Sequence, residues 1–496
     1  MNKKSFAVFF LVLVLLLTGC SKTGTVPEED ILKIAYTTDP QGLDPHRTAA
    51  VSTFNVTGSI YETLLGITPD WEVEKRLAES YTVSPDGMEI SFKLREGVLF
   101  HNGREMKAID VKNSFERLKG EGSPKAKDYV NIKEINVIND YEISFVTETL
   151  DVELEKAFIY PWTAIIPIEE EANLKSKPVG TGAYKFKEWI PQQQVVLVRN
   201  DDYYAEAAKI GELKFTLISD ETSQMASLQT GDIDLAEIQG NQVGVLEKID
   251  SLKIYSEPMN AVQLLALNLD NEIFKDIRVR KAIAMAVNKD DINSSVVYGY
   301  GNNVGSHLPV NYPDYYDTMD LITYDPEGAK ALLAEAGYEN GLDIEMILPK
   351  NYQIHMDAGQ VLADQLSKVG INVDIKVVEW GQWLSDVYSG KNYETTVVGL
   401  SGRLDSYYFL KRYHSQSGDF ISYITGEIDT LLEDSRSELD PEKRKEIFKE
   451  IQIILAENVP VVYLQTPDRI FALNKNVEGF RIYPTDIYEY KDVYFK

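Results

Sequence analysis

The 496-residue sequence contains a single cysteine, Cys20. With no second thiol in the chain, an intramolecular disulfide is excluded, and with it the small disulfide-stapled class of secreted domains. A Cys-based zinc site is excluded for the same reason. Histidine is also scarce: His46, His101, His307, His355 and His414 never approach one another at metal-ligand spacing. Positive charge is short, with 50 Lys and Arg against 78 Asp and Glu and a formal charge of −28. An acidic surface of that size argues against nucleic acid or anionic lipid as partner, and it favours solubility. No apolar run reaches the ~20 residues that span a bilayer as a helix. Catalytic signatures are missing too. Gly399-Leu400-Ser401-Gly402 begins like a nucleophile elbow, but Arg403 stands where the last glycine is required. Gly180-Thr181-Gly182 begins like a dinucleotide fingerprint, but Lys185 occupies the third glycine position. There is no phosphate-binding P-loop and no H-E-x-x-H. Nothing singles out a pair of carboxylates for glycosidase chemistry. An enzyme is not expected, nor a cofactor or a bound metal.

What is present begins at the N-terminus. Lys3 and Lys4 precede an apolar run from Phe6 to Leu17, followed by Leu17-Thr18-Gly19-Cys20. A basic n-region and a short h-region mark a secretory signal. The last four residues look like a lipobox, so residues 1–19 are expected to be removed and Cys20 to carry the lipid. Two or three acyl chains hold a protein stably to a membrane, where one would not. The expected location is the extracytoplasmic face of the cell membrane, on the periplasmic side if the cell has two membranes. Residues 20–30 read as a lipidated tether, polar and containing Gly and Pro.

The length implies two or three domains, and no low-complexity linker or solenoid repeat appears after residue 30. Between 80 and 147 the pattern is one of β-hairpins. Pro85-Asp86-Gly87, Asn102-Gly103 and Asn139-Asp140 sit at turns between alternating runs, with a helix at Ala108 to Leu118. Elsewhere strand alternates with helix. ELKFTLIS leads to a helix capped by Asp220 and ended by Gly231, then to IDLAEI. DIEMIL leads to a helix over about 354–369, closed by Gly370, then to INVDIKVV. Strand–helix–strand units of this length imply parallel pairing. Asp325-Pro326 and Asp440-Pro441 start two further helices, the second with Ile447, Phe448, Ile451, Ile454 and Leu455 on one face. The class is mixed α/β with more than one sheet.

Several stretches taken in order resemble a known family. They are Leu43-Asp44-Pro45, Tyr61-Glu62-Thr63-Leu64, the run from Leu77 to Leu118, PVGTGAYKFKEW at 178–189 and LQTGDIDLAE at 228–237. ALNLDNEIFKDIRVRKAIAMAVNKDDI at 266–292, YDPEGAKALLAEAGY at 324–338 and the segment from Arg444 to Tyr463 complete the series. The set is similar to family 5 of the extracellular solute-binding proteins of ABC importers, which carry peptides or nickel. That resemblance implies a two-lobed periplasmic-binding-protein-like fold with an inserted β-rich subdomain in the first lobe. The expected divisions are lobe I at 31–60 and 176–258, the insertion at 61–175, lobe II at 259–464, and a return to lobe I at 465–496. Gly180, Gly182, Arg95, Gly97, Phe100 and Asn102-Gly103 are expected to be scaffold.

The function implied is capture of a short peptide in the interlobe cleft by hinge closure and delivery to the permease subunits in the membrane, by a monomer. The alternative is nickel or another metal held as a small chelate. Family members that bind peptides often set an Asp of a Gly-Asp-Pro stretch against the ligand's amino end. Here the stretch is Gly402 to Tyr408, in which Asp405 survives, Ser406 replaces the proline, and Arg403 adds a charge suited to a carboxylate. Tyr407 follows in the same segment. Lys350, after DIEMILP, is a second candidate partner for a carboxylate. Trp380 and Trp383, after INVDIKVV, are candidates for an apolar wall, since α/β sheets place ligands at the carboxyl ends of strands. Tyr36, Thr38 and Asp39 end the first strand and are candidates to touch the ligand backbone.

Overall fold

A computed structural model of the protein describes residues 30–401, 403–421 and 426–496. The expected leader, Cys20, the tether as far as Glu29, and Gly402 lie outside the described residues.

Strand β1 (Ile31–Tyr36) opens the first lobe. The chain then builds a separate antiparallel sheet from β2 (Ala78–Val83), β3 (Glu89–Leu94), β4 (Ile132–Asn139) and β5 (Glu142–Thr147), in the order β2-β3-β5-β4. Gly87 turns the first hairpin with a φ of 66°, a backbone conformation that only glycine adopts freely. Helix α1 (Ala108–Lys119) packs on this sheet, with Val111, Phe115 and Leu118 buried. Phe92, Phe115, Phe145 and Phe158 meet there edge to face, giving the insertion its own apolar centre.

Lobe I resumes with β6 (Tyr184–Ile190), β7 (Gln194–Arg199) and β8 (Glu212–Leu217). In α2 (Glu221–Thr230) the Asp220 carboxylate accepts from Ser223 N at 2.8 Å, and Gly231 ends the helix at a φ of 79°. Strands β9 (Leu235–Ile238) and β10 (Leu252–Pro258) follow. The second lobe holds β11 (Ala261–Leu267), α3 (Pro326–Glu335), β12 (Leu342–Pro349), α4 (Gln353–Ser367), β13 (Ile371–Val378) and β14 (Thr395–Ser401). The short α5 (Ser406–Leu410), then α6 (Gly426–Ser437) and α7 (Pro441–Asn458), lead into β15 (Val461–Asn474). Strands β12 and β13 pair in parallel around the α4 crossover.

Both lobes share one 12-stranded sheet among the described residues, with the path β13-β12-β14-β11-β15-β9-β1-β8-β7-β6. The 14-residue β15 is its spine. Its first half, Val461 to Gln465, pairs with β11 in lobe II, and its second half, Asp468 to Asn474, pairs with β10 in lobe I. Pro467 sits where the partner changes and has no N–H to give a ladder; its carbonyl accepts from Met259 N at 2.9 Å. The lobes are therefore joined by two short crossings side by side, at Pro258–Ala261 and Gln465–Asp468. The molecule is a two-lobed mixed α/β protein.

Strand directions fix where a site can form. Strand β15 runs from lobe II into lobe I. Antiparallel pairing with β11 makes β14 run the same way, and parallel pairing carries β12 and β13 with it. In lobe I, β9 is antiparallel to β15 and parallel to β1, so β1 runs toward lobe II. The carboxyl ends of β1, β12, β13 and β14 thus converge on the boundary between the lobes.

Candidate functional site: the interlobe boundary

The candidate residues at the end of β1 form one polar knot. Tyr36 OH donates to Asp39 Oδ1 at 3.0 Å, while Trp189 Nε1 reaches the same oxygen at 3.3 Å. Gln192 N and Nε2 donate to Asp39 Oδ2 at 2.9 and 3.1 Å. Burial and the adjacent carboxylate hold the Tyr36 phenol protonated, well above its ordinary range. Asp39 is thereby occupied in ordering its own loop. Thr38 and Asp39 line an open cavity of about 840 Å³ that continues past Thr53 of lobe I to Ser123 and Pro124 of the insertion.

On lobe II the structure separates the three candidates that follow β12 and β13. Lys350 lies on the surface, paired with Glu379 at 2.7 Å. Trp380 is half-buried and stacks on Trp383 with ring centres 4.9 Å apart and planes within 6°. Trp383 is fully buried, and its indole N–H donates to Thr396 Oγ1 at 3.0 Å. Trp383 is therefore core packing, and only Trp380, with the edge of Tyr352 against it at 4.9 Å, presents a ring outward.

The segment after β14 does what the sequence alone does not reveal: it plugs into the insertion. Leu404 is buried among the insertion's apolar residues. Its N–H donates to Tyr160 OH at 3.0 Å, and its carbonyl accepts from Lys156 Nζ at 2.9 Å. Arg403 Nη1 meets Asp128 at 2.9 Å, and the Arg403 carbonyl accepts from Tyr312 OH at 2.8 Å. Asp405 is buried. Its Oδ1 caps α5 by accepting from Tyr407 N at 2.6 Å, and its Oδ2 accepts from Arg444 Nη2 at 2.8 Å. Arg444 also meets Glu153 of the insertion at 2.9 Å. Arg444 and the other nearby cations hold Asp405 below its usual value despite burial, whereas burial, with Asp405 adding to it, pushes Glu153 up to about 8. Tyr407 is half-buried beside Tyr408 and under the Arg436 guanidinium.

The structure thus brings Arg403, Asp405 and Tyr407 together and keeps them apart from the Tyr36–Asp39 knot and from Lys350. It adds residues that the sequence reading did not select. Tyr160 and Trp162 stack with centres 4.5 Å apart, and Trp162 Nε1 is fixed by Tyr129 OH at 2.8 Å. Trp71 packs on Tyr312 at 4.6 Å beside a second cavity, of about 820 Å³, that reaches the hinge residues Pro258 and Asn260. Asn260 Nδ2 donates to the Pro484 carbonyl at 2.9 Å. Of these, Arg444 had a signal: it stands on the same helical face as Phe448, Ile451 and Leu455, and a cation in an apolar stripe demands a buried partner.

A cleft between two lobes, a pair of adjacent crossings and polar groups gathered at strand ends can hold a solute without chemistry on it. The family model described as Bacterial extracellular solute-binding proteins, family 5 Middle, matches residues 72–420. The chain belongs to that family. The family is one of extracellular solute-binding proteins. Its relatives include the oligopeptide-binding protein AppA of Bacillus subtilis, 28% identical over 94% of this chain and 89% of that one. The structure of DppA from Helicobacter pylori in complex with the peptide STSA superposes with a TM-score of 0.77 at 26% identity, over 94% of this chain and 98% of that one. NikZ of Campylobacter jejuni in complex with Ni(L-His) shares the fold, with a TM-score of 0.77 at 23% identity, over 94% of this chain and 98% of that one. Among the described residues no group of His, Cys, Asp and Glu is arranged to hold a metal ion, and no helix is long and apolar enough to cross a membrane.

Proposed function

We propose that this chain is the substrate-binding lipoprotein of an ABC importer. It is anchored through Cys20 at the extracytoplasmic face, captures short peptides between its lobes as a monomer, and hands them to the membrane permease. The observation that carries this reading is the convergence of strand ends from both lobes on one boundary spanned by two adjacent crossings. A hinge of that kind lets rigid lobes close over a ligand, and a ligand that touches both lobes favours the closed state. Relatives named for oligopeptides, and a structural neighbour holding a four-residue peptide, support peptide as the solute.

The parts divide as follows. Thr38 and the rim of the 840 Å³ cavity face the peptide backbone, and Trp380 gives an apolar edge on lobe II. Arg403 faces a carboxylate. Asp405, with both oxygens engaged inside the protein, works as the pin between α5 and α7 and not as the partner of a ligand ammonium. Asp39, Lys350 and Trp383 order their own surroundings.

The test is thermal unfolding of the purified full-length protein with a graded series from dialanine to penta-alanine, and with nickel–histidine in parallel. A ligand at 100 times its Kd that binds only the folded state adds about 2.7 kcal/mol. The expected result is an upward shift in Tm with at least one peptide length. A shift with nickel–histidine and with no peptide would overturn the reading in favour of a metal chelate.

A further inference from the structure

Acids outnumber bases by 28 in this chain, yet three cations gather round two aromatic rings at the junction of the insertion and lobe II. Lys125, on the loop after α1, holds its Nζ 4.2 Å from the centre of the Trp162 ring. The Arg403 guanidinium lies 6.0 Å from the same ring and 5.8 Å from the Tyr408 ring. Lys411, just after α5, places its Nζ 4.5 Å from the Tyr408 ring. Two aromatic rings therefore gather three cations. Asp128 pairs with Arg403 at 2.9 Å, and no carboxylate among the described residues lies within ion-pairing distance of Lys125 or Lys411.

Aromatic faces hold cations in place but do not neutralise them. Burial, and behind it the like charge of Arg403, depress both lysine ammoniums below the usual lysine value. Asp128 offsets part of this charge at all three cations, and one carboxylate against three cations leaves a net positive site with room for a further anion. The floor of the junction is rigid. Trp162 is stacked on Tyr160 and fixed through Tyr129, and Tyr160 is tied to Leu404. The location fits a ligand as well, because Lys125 directly follows Pro124 on the rim of the 840 Å³ cavity. Lys411 lines a second opening, of about 340 Å³, together with Tyr407 and Tyr408.

We propose that Lys125, Arg403 and Lys411 form a carboxylate-binding subsite, and that the protein selects acidic peptides. This rests on the peptide reading given above. The carboxylate has two sources, the peptide's C-terminus or an Asp or Glu side chain, and both present the same planar anion to a guanidinium flanked by two ammoniums.

The experiment is isothermal titration of the full-length protein with tetra-alanine, its C-terminal amide, and a positional series in which one alanine becomes Glu or Gln. Hydrogen bonds to charged groups contribute enough that a matched Glu, or a free C-terminus, is expected to bind about tenfold or more tighter than its neutral counterpart. Preference for Glu over Gln at one position assigns the side chain; preference for the free acid over the amide assigns the C-terminus. Lys411→Met and Lys125→Met are expected to erase that preference, and Lys411→Arg to preserve it. Raising salt should narrow the gap, since partly exposed charges are screened. Equal affinity for Glu, Gln, acid and amide forms would overturn the subsite while leaving peptide binding standing. So would a preference that survives both Met substitutions. Failure of every peptide to bind would overturn the peptide reading itself.

Discussion

At the scale of single residues, the boundary is governed by one buried arginine. Arg444 and Asp405 expose only 8% and 6% of their side chains, and Glu153 completes the group from the insertion. Removing one member of a buried pair leaves a charge without a partner, so Arg444→Met is expected to destabilise the fold by about 3–5 kcal/mol. Urea unfolding should show this as a lower midpoint; an unchanged midpoint would mean that Asp405 finds another partner. The pair of Arg403 with Asp128 is about a third exposed on each side, so its loss should change stability by no more than about 1 kcal/mol. Asp405 illustrates what a sequence hides. Its neighbours in the chain suggest a ligand contact, but its partner lies 39 positions away on another helix. Gly180 illustrates a right residue with a different reason. It reads as a position for unusual backbone, yet it is not among the glycines with positive φ. What excludes a side chain there is the Ile60 carbonyl, which a Cβ would strike. Gly180→Ala is expected to cost about 1–3 kcal/mol through overpacking, measured as a fall in Tm; no change would show that the backbone there can yield.

At the scale of elements, the helices and hairpins are legible because their signals are local. Asp325 accepts from Gly328 N at 2.9 Å and Asp440 from Glu442 N at 3.1 Å, each before a proline at the first helical position, as their sequence suggests. The alternation in β13 is less faithful. Ile371 is buried, but Val377 on the same face is 47% exposed, where β13 forms the edge of the sheet. No local signal marks the change of partner in the spine β15 at Pro467, which depends on strands about 200 residues earlier; the division at 464 and 465 came only with the family resemblance. Between the elements, His46 and His355 are buried, and His101 half-buried, as neutral fillers. His46 bonds the Ala164 carbonyl through Nε2 at 2.9 Å, His101 the Gly182 carbonyl at 2.9 Å, and His355 accepts from Gly399 N at 3.0 Å. Burial lowers each of them to about 4. The unfolded chain therefore binds more protons than the folded one between about pH 4 and 6.5, so this contribution is full above 6.5 and is lost as pH falls. Tm measured from pH 7 to 4 should fall less steeply for His46→Gln, which keeps the N–H donor, than for the wild type. Parallel curves would show that His46 does not titrate in that window.

At the scale of the whole molecule, two lobes share one sheet, and the boundary collects the strand ends of both. The two-lobed class was readable through the ordered set of motifs, which spans nearly the whole chain. The wedge of Leu404 into the insertion was not, because an apolar residue in a loop gives no sign of which core it will enter. That wedge joins lobe II to the insertion, while the hinge joins lobe II to lobe I, so a solute at the junction of all three bears on their relative positions. The most direct measurement is a native mass spectrum of the freshly purified full-length protein with no ligand added. Peptide capture predicts adducts whose masses form a set of short peptides, and tandem fragmentation should find them rich in Asp and Glu. A single adduct with a nickel isotope pattern would contradict it.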